Sequence, residues 1–379
     1  MCHNPLLSIE KLTLMVILLF VAFAQAYALP PVLTEKQLLS PPPKIIRTCC
    51  TFGTDLRMSG IPFAKISDII SLDLLGNHKF LSDRYEGNGI IYTAKGGFLD
   101  IGHLRDCADL TAYYYVHILE LKNHPTNSNI VIGKEGGQKV LKLKIPADID
   151  PNIALYTAAN IAFDLSIWHE IATWFGSSYV PLLPERFSSF SPEDLYSNLL
   201  GTYIGIEAIS SPLPYDEAMT QLLDNKLKEL GVVSSETETY RAMRAVEGLW
   251  WTEVNALPSA KLLLQRNFGA ETFIKPWLVP GFDLGIEPYT LQYPSLANVN
   301  FDNYYELSIK ANYRIPSKDI YLDKKYKCIT NSDFDYLVKY IAKDVEIIEQ
   351  EAKQEDIDEV EKTKRKIEKT TPNIDNDKP

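Results

Sequence analysis

Ionisable side chains interrupt apolar sequence in three short segments, and the first of these is 96–109. Its glycines allow the backbone to approach other groups closely. They precede His103, Arg105 and Asp106, which we predict to lie at the start of a helix. Because Asp106 and Asp109 would share one helix face, a solvated face is the alternative to a functional site.

The second segment is 166–176, where His169 and Glu170 lie in an otherwise apolar helical run. Such a helix is predicted to be buried, and a buried Glu is costly unless it is paired, hydrogen-bonded or bound to a metal. In the motif H-E-x-x-H two histidines bind zinc and the Glu is the base. Thr173 occupies the second His position here, so a metal would need ligands from other segments. A buried His–Glu network that only orders the core is the alternative.

The third segment is 190–201. Ser191, followed by proline and two acids, predicts a helix with Ser191 as its N-cap. Asp194, Asn198 and Gly201 would share one face of that helix, and the glycine would let another helix approach closely. We expect Asp194 to reach the second segment, with helix capping and tight packing as the alternative.

Together the three segments predict the zinc site of a hydrolase. The predicted metal ligands are His103, His169 and Asp194. The predicted catalytic residues are Glu170, Arg105 and Asp106. Zinc binds nitrogen and oxygen ligands tetrahedrally and lowers the pKa of a bound water toward neutrality. Glu170 would be the general base and Arg105 would bind a substrate carboxylate or phosphate or a developing oxyanion, while Asp106 is also an alternative third ligand.

Several other kinds of active site are missing from the sequence. We find no GxSxG elbow, no P-loop and no GxGxxG after a strand. Cys107 could be a nucleophile only if a histidine lowered the pKa of its thiol, and His103 is the one candidate. The aromatic and acidic run around Trp250 and Trp251 is predicted to pack in the core, with a sugar-stacking surface as the alternative.

The elements that must position these residues are mostly helical. The predicted strands are 88–93 and a hairpin within 129–145. The predicted helices are a short one within 61–81, then 105–121, 152–175, 215–230, 236–255 and 259–266. After Gly269 the chain is predicted to be irregular to about Pro316, with short strands. The fold class is therefore α+β, a predominantly α-helical single domain with a small β-hairpin or sheet and an extended acidic C-terminal tail.

The two ends of the chain differ from its middle. The predicted divisions are 1–28 signal peptide, 29–48 Pro-rich lead-in, 49–340 globular domain and 341–379 charged, partly disordered tail. The apolar run after Lys11 is too short to span a bilayer comfortably. Small residues follow it, so cleavage is expected near Ala26 or Ala28. An uncleaved N-terminal anchor is the alternative.

The composition is that of a globular protein. Of 379 residues, 46% are hydrophobic and 23% are charged, which excludes a largely disordered chain, a collagen-like repeat and a multi-pass membrane protein. The net charge of -11 comes without a basic stripe, which disfavours nucleic-acid binding. Residues 344–379 contain twelve acidic and seven basic residues and no aromatic one. That segment cannot form a core.

Four cysteines remain if the signal is removed: Cys49, Cys50, Cys107 and Cys328. Adjacent cysteines rarely bond to each other. A disulfide from Cys49 or Cys50 to Cys328 is one possibility, and buried free thiols are the other.

The runs 47–53, 88–93 and 97–106, with Trp168-His169-Glu170 and Ser191–Gly201, resemble an uncharacterised family of exported bacterial proteins known as domain of unknown function 4056. The resemblance covers roughly residues 45–320. It implies a bacterial envelope protein, but it brings neither an activity nor any assigned residue.

The sequence therefore predicts a metal-dependent hydrolase of the bacterial cell envelope, periplasmic or secreted, that acts on a peptide, cell-wall or lipid substrate. We expect no nucleic-acid partner and no membrane span after signal cleavage. The alternative is a non-catalytic exported protein that binds a partner or ligand and uses the same His, Glu and Asp residues as a structural network.

Overall fold

Helices are the main regular secondary structure in this computed structural model. It describes residues 32–38, 42–44, 47, 51–56, 67–123, 128–176, 186, 188–252, 262–270, 272–282, 285–321, 328–348 and 350. The helices are α1 (Glu35–Leu38), α2 (Ile101–Asn123), α3 (Pro151–Trp174), α4 (Asp194–Ile209), α5 (Tyr215–Glu229), α6 (Glu236–Ala245), α7 (Ser317–Ile320) and α8 (334–348). The predicted α+β class, mainly helical and with small antiparallel sheets, is confirmed.

Helices α2, α3 and α4 pack against one another and form the centre of the main core. Their sequences explain the burial, since α3 and α4 are apolar on nearly all sides. Helix α3 begins where the Asp150 side chain accepts hydrogen bonds from the N–H groups of Asn152 and Ile153, with Pro151 in the first turn. It ends at Trp174, followed by Gly176 at a φ of 66°.

The strands form three antiparallel sheets. β1 (Ile90–Thr93) pairs with β2 (Gly97–Asp100), and β5 (Phe273–Ile274) pairs with β6 (Leu291–Gln292). The third sheet has the order β3-β4-β7-β8, from β3 (Ser128–Gly133), β4 (Gly137–Leu143), β7 (Tyr305–Ala311) and β8 (Ile329–Thr330). Strand β2 runs directly into α2, so the β1–β2 hairpin fixes the start of that helix.

The predicted helix 236–255 is wrong in its second half, because α6 ends at Ala245. Gly248 then adopts a φ of 75°, and Trp251 pairs with Leu263 as an antiparallel bridge. That bridge also makes 262–266 non-helical, which corrects the described part of the predicted helix 259–266. Trp250 and Trp251 are buried, as the core-packing interpretation requires.

Three smaller predictions also change. Within 61–81 the described residues contain one 3-10 turn, Leu72–Leu74, and 61–66 lie outside the described residues. Ser191 is not an N-cap, because α4 begins at Asp194. Strand β7 lies in the region predicted to be irregular after Gly269, and it is longer than the short strands expected there, since it pairs with β4 over seven positions.

The C-terminal helix α8 crosses the predicted domain boundary at 340. Leu337, Ile341 and Val345 are buried in the main core, and the Trp174 indole donates a hydrogen bond to Asp344. The core therefore continues into the first turns of the predicted tail. The predicted signal peptide and residues 351–379 lie outside the described residues.

One acidic residue of α3, Asp164, should make stability fall as the pH rises. Burial outweighs the hydrogen bond that Tyr305 donates at 2.7 Å and raises the pKa of Asp164 to about 7. The folded protein then holds a proton that the unfolded chain has lost above about pH 3.9. Stability should decrease between about pH 4 and 7 and level off above that range. We expect Asp164→Asn to flatten this dependence in melting temperatures measured from pH 4 to 8.

The control for this experiment is Asp148→Asn, which removes an exposed carboxylate. It should keep the pH dependence of the parent protein. If Asp164→Asn and Asp148→Asn gave the same pH profile as the parent, Asp164 would not titrate as stated.

Candidate functional site

Three helices bring four ionisable residues into one buried cluster, which we call the histidine cluster. It consists of His103 at the start of α2, His169 and Glu170 near the end of α3, and Asp194 at the start of α4. The Nδ1 atom of His103 lies 3.2 Å from an Asp194 oxygen, and the two histidine rings are 6.1 Å apart between their centres. All four residues are at most 5% exposed. The sequence prediction that these four residues converge therefore agrees with the geometry.

A fifth residue, Glu135, fixes the orientation of His169. Its carboxylate lies 2.5 Å from His169 Nδ1 and 2.8 Å from the Lys139 ammonium group. Burial opposes ionisation of Glu135, but the charges of Lys139 and His169 outweigh it and lower its pKa to about 2. The Trp168 indole also donates to the Glu135 carbonyl oxygen at 2.9 Å. Glu135 thus leaves the Nε2 atom of His169 to face other groups.

The sequence does not identify Glu135 as a site residue, because it lies in the turn between β3 and β4, 34 positions before His169, and its surroundings predict only a hairpin. A Glu between glycines in a hairpin is typical of a solvated loop, and only the packing of the sheet against α3 reveals its partner. The remaining indication in the sequence is Lys139, an opposite charge four positions after Glu135. That spacing is weak evidence for a contact when the second residue lies in a strand.

Within the histidine cluster, Glu170 is held in place by the backbone at Phe190, which has a rare conformation. The Phe190 N–H donates a hydrogen bond of 2.7 Å to the Glu170 carboxylate, and the Ser189 hydroxyl donates to the Glu170 carbonyl oxygen. Phe190 has a φ of 55°, which is a rare conformation for a bulky residue. Such strain persists only where the surroundings enforce it, and it is common at functional sites. Burial, together with the charge of Asp194, raises the pKa of Glu170 to about 8.

The end of β2 and the start of α4 place several buried carboxyl groups around His103. Asp194 accepts a hydrogen bond from the Ser191 N–H at 2.8 Å, and Asp100 accepts one from the His103 N–H at 3.0 Å. Burial and the neighbouring Asp194 raise the pKa of Glu193 well above its usual range. This excess of buried carboxyl groups favours a cationic partner for the cluster, whether a protonated histidine or a metal ion.

Arg105 and Asp106 lie in a second buried group, which we call the arginine cluster. Its members are Arg47, His78, Glu86, Arg105, Asp106 and Asp109. Arg105 is 2.9 Å from a Glu86 oxygen and donates to the Leu75 carbonyl oxygen at 2.7 Å. Asp106 accepts hydrogen bonds from both the N–H and the guanidinium group of Arg47. The structure therefore brings together four of the six predicted site residues and leaves Arg105 and Asp106 beside other partners.

The arginine cluster joins a loop residue to one face of α2. Arg47 contacts Asp106 and Asp109 at 2.9 and 2.8 Å, and its side chain is 1% exposed. Asp109 also receives hydrogen bonds from the Tyr215 hydroxyl and the Leu81 N–H. Asp106 and Asp109 are therefore buried and paired, and the alternative of a solvated helix face is wrong.

Within the described part of the chain, no group of three or more His, Cys, Asp and Glu side chains has the spacing of a metal site. Two surface cavities are formed by other residues and include none of the histidine cluster. Cys107 is a buried thiol 3.2 Å from the Asn198 amide oxygen, and burial raises its pKa far above its usual range. It is therefore a poor nucleophile.

The remaining cysteines do not support the suggested disulfide. Cys328 is an exposed free thiol, and Cys49 and Cys50 lie outside the described residues.

Comparison with protein families gives one match. The model described as "Protein of unknown function (DUF4056)" matches residues 37–280. The chain belongs to this family. The matched region includes both clusters and helices α2 to α6, whereas β7, β8 and α8 follow it. No curated protein and no solved structure matches the chain. Among the described residues of this DUF4056 protein, no helix is long and apolar enough to cross a membrane.

Proposed function

We propose that this DUF4056 protein is a metal-dependent hydrolase of the bacterial cell envelope and that the histidine cluster is its catalytic centre. The observation that supports the proposal is the convergence of His103, His169, Glu170 and Asp194 from three separate helices. Buried polar groups of this kind are costly unless they have a partner or a function. A cluster with this many ionisable groups in an otherwise apolar core is therefore a reasonable candidate for chemistry.

The spacing of His103 and Asp194 is compatible with shared binding of zinc. Two ligands at about 2.0–2.1 Å in a tetrahedral zinc site are about 3.3 Å apart, and His103 Nδ1 and Asp194 Oδ1 are separated by 3.2 Å. His169 is the third ligand in the proposal. Its ring centre is 6.1 Å from that of His103, wider than the about 5 Å expected for two imidazoles on one zinc ion. His169 must therefore move closer when a metal binds.

Glu135 strengthens the assignment of His169. Histidines that bind metals nearly always give their other ring nitrogen to a carboxylate, a carbonyl or water, which fixes the ring and raises its basicity. The Glu135–His169 contact of 2.5 Å has this arrangement. Glu135 is a positioning residue in this proposal.

Glu170 is the proposed general base. Its carboxylate accepts the Phe190 N–H at 2.7 Å, which fixes its position in the histidine cluster, where it could accept a proton from a bound water. The metal would supply a bound water of lowered pKa. We no longer assign chemistry to Arg105 and Asp106, because their charges are paired within the arginine cluster.

Export and substrate class belong to the proposal as well. The signal-like segment at 1–28 suggests a periplasmic or secreted protein, and peptide, cell-wall and lipid substrates all suit an envelope hydrolase. N-terminal sequencing of the protein recovered outside the cytoplasm should show that the mature chain begins just after Ala26 or Ala28. A mature chain that starts at Met1 and remains in the cytoplasm would argue against export.

We expect the purified protein to contain roughly one zinc ion per chain and to lose it on dialysis against a chelator. A ligand present at 100 times its Kd stabilises by about 2.7 kcal/mol, which corresponds to about 4 °C in Tm for a folded region of roughly 300 residues. The metal-free protein should melt lower by that amount. His169→Ala should contain no zinc and should show no response to the chelator in thermal denaturation.

The matched control is His117→Ala on α2. His117 pairs with Glu120 near the surface and lies outside the histidine cluster. It should keep the metal content and the chelator response. A parent protein with no bound metal, and with a Tm that zinc and chelator leave unchanged, would exclude the metal.

A second candidate is a non-catalytic envelope protein that binds a partner or ligand. The burial of the histidine cluster, in which no residue is more than 5% exposed, favours this interpretation. It assigns the cluster a structural role. In that case His169→Ala should lower stability without changing metal content, which the same measurements distinguish from the first candidate.

A further inference from the structure

Two consecutive peptide groups carry the backbone N–H groups that hold carboxylates of the histidine cluster. The Phe190 N–H donates to Glu170 at 2.7 Å, and the Ser191 N–H donates to Asp194 at 2.8 Å. The carbonyl groups of the same two peptides belong to Ser189 and Phe190. In a planar trans peptide the C=O and N–H point in opposite directions. Whatever holds these two carbonyl groups therefore also aims the two N–H groups.

Arg266 and Asn267 hold those carbonyl groups. The Arg266 guanidinium group donates hydrogen bonds to the Ser189 carbonyl oxygen and, at 2.6 Å, to the Arg186 carbonyl oxygen. The Asn267 N–H donates to the Phe190 carbonyl oxygen at 3.0 Å. Both residues are buried, and hydrogen bonds from a charged donor are about twice as strong as neutral ones. Each peptide group is thus fixed at both ends, by this pair of residues and by a carboxylate of the histidine cluster.

The segment that carries Arg266 is itself anchored outside the histidine cluster. The N–H groups of Leu264 and Gln265 both donate to the Trp250 carbonyl oxygen, at 2.8 and 3.2 Å. Trp250 belongs to the second apolar core, which also contains Leu263. The Arg266 guanidinium group therefore connects that core to the loop beside the histidine cluster.

We propose that Arg266 is a positioning residue of the histidine cluster. The inference rests on the proposed hydrolase function, because it assigns Arg266 a role at the same site. Loss of its donors would let the Phe190 backbone relax from its φ of 55° and turn the N–H away from Glu170. The adjoining Ser191 N–H would shift as well and loosen Asp194, the proposed zinc ligand. Groups that orient metal ligands typically contribute about 10–100-fold to metal affinity.

Zinc binding by the full chain at pH 7, measured in competition with a chromophoric chelator, tests this role. Arg266→Met should raise the zinc Kd about tenfold or more. Arg266→Lys keeps the charge but replaces a planar fork that holds two carbonyl groups with a single ammonium group. We expect it to restore part of the affinity and to leave the Kd about three- to fivefold above that of the parent.

Arg186→Met is the matched control for a loss of stability. The guanidinium groups of Arg186 and Arg266 both lie 5.1 Å from the centre of the Trp174 ring, so either substitution removes a cation–π contact. The Arg186 side chain donates to the Trp174 carbonyl oxygen and not to the carbonyl groups of Ser189 and Phe190. Arg186→Met should therefore melt lower than the parent, as Arg266→Met should, but keep the zinc Kd of the parent.

The possible results separate this inference from the hydrolase proposal. Equal zinc affinity in the parent and Arg266→Met overturns the positioning role and leaves the hydrolase proposal in place. A loss of affinity in Arg186→Met as large as in Arg266→Met also overturns it, because both effects would then follow from stability. If thermal denaturation shows that Arg266→Met does not fold, equal affinity in the parent and Arg266→Lys overturns it instead. A parent that binds no zinc overturns the hydrolase proposal and this inference with it.

Discussion

Arg47→Met should lower the free energy of unfolding by about 3–5 kcal/mol, because removing one partner of a buried ion pair leaves the other charges uncompensated. Arg47 is the cation that Asp106, Asp109 and Glu86 share, at 2.8–2.9 Å from each. All these side chains are at most 2% exposed. Methionine fills a similar volume but brings no charge and no donor. The measurement is urea denaturation at pH 7.

The same cluster should govern stability in acid. Burial opposes ionisation of Asp109, but the charges of Arg47 and His78 outweigh it and lower its pKa to about 2. A carboxylate whose folded pKa is lowered contributes stability that is complete above its unfolded pKa of about 3.9 and is lost as the pH falls through its folded pKa. The parent protein should therefore lose this contribution between about pH 4 and 2, and Arg47→Met should lose much less over that range.

Arg84→Met is the matched control, since Arg84 is exposed and its guanidinium group donates a hydrogen bond only to the hydroxyl of its exposed neighbour Tyr85 among the described residues. It should change the free energy of unfolding by no more than about 0.5 kcal/mol. Equal losses in Arg47→Met and Arg84→Met would mean that the arginine cluster contributes little to the fold.

Arg47 also shows what the sequence could not reveal. It lies 59 positions before Asp106, at the end of a proline-rich stretch, and no local pattern distinguishes it from a surface arginine. The helices themselves were predictable because apolar periodicity and capping residues are local: α2, α3 and α5 lie close to their predicted ranges. The approach of His103, His169 and Asp194 was also predictable, since buried polar residues must find one another. Which partner each charge takes depends on packing between distant segments.

Helix α6 illustrates a different limit of prediction. Helical propensity continues past Ala245 into a run rich in Trp and Glu, so the sequence favoured a helix to about 255. In the fold, Trp250 and Trp251 turn into the second apolar core, where Trp251 is fully buried and its indole donates to the Met243 carbonyl oxygen. Burying two large rings outweighs the local preference for helix. Tertiary packing of that kind has no signature in a single sequence.

Gly201→Ala should lower the free energy of unfolding by about 3 kcal/mol or more, because overpacking at a backbone contact forces two helices apart. A Cβ atom at Gly201 would overlap the Leu104 carbonyl oxygen and lie 2.9 Å from Leu104 Cα. Both neighbours are backbone atoms of α2, which cannot rotate away. The gain in helix propensity, about 1 kcal/mol from Gly to Ala, is too small to offset this clash. Urea denaturation again provides the measurement.

Gly205→Ala, one turn further along α4, provides a graded control. Its Cβ would lie 3.0 Å from Ala108 Cα, a tight contact that small shifts can relieve. The loss there should be clearly smaller than at Gly201, and equal losses would contradict the argument from backbone contact.

The close contact between α2 and α4 at Gly201 also has a consequence for the histidine cluster. Leu104 follows His103 on α2, while Asp194 starts α4, so separating these helices at Gly201 should separate that 3.2 Å pair. Gly201→Ala should therefore weaken any metal binding at the cluster, even though the glycine itself offers no ligand.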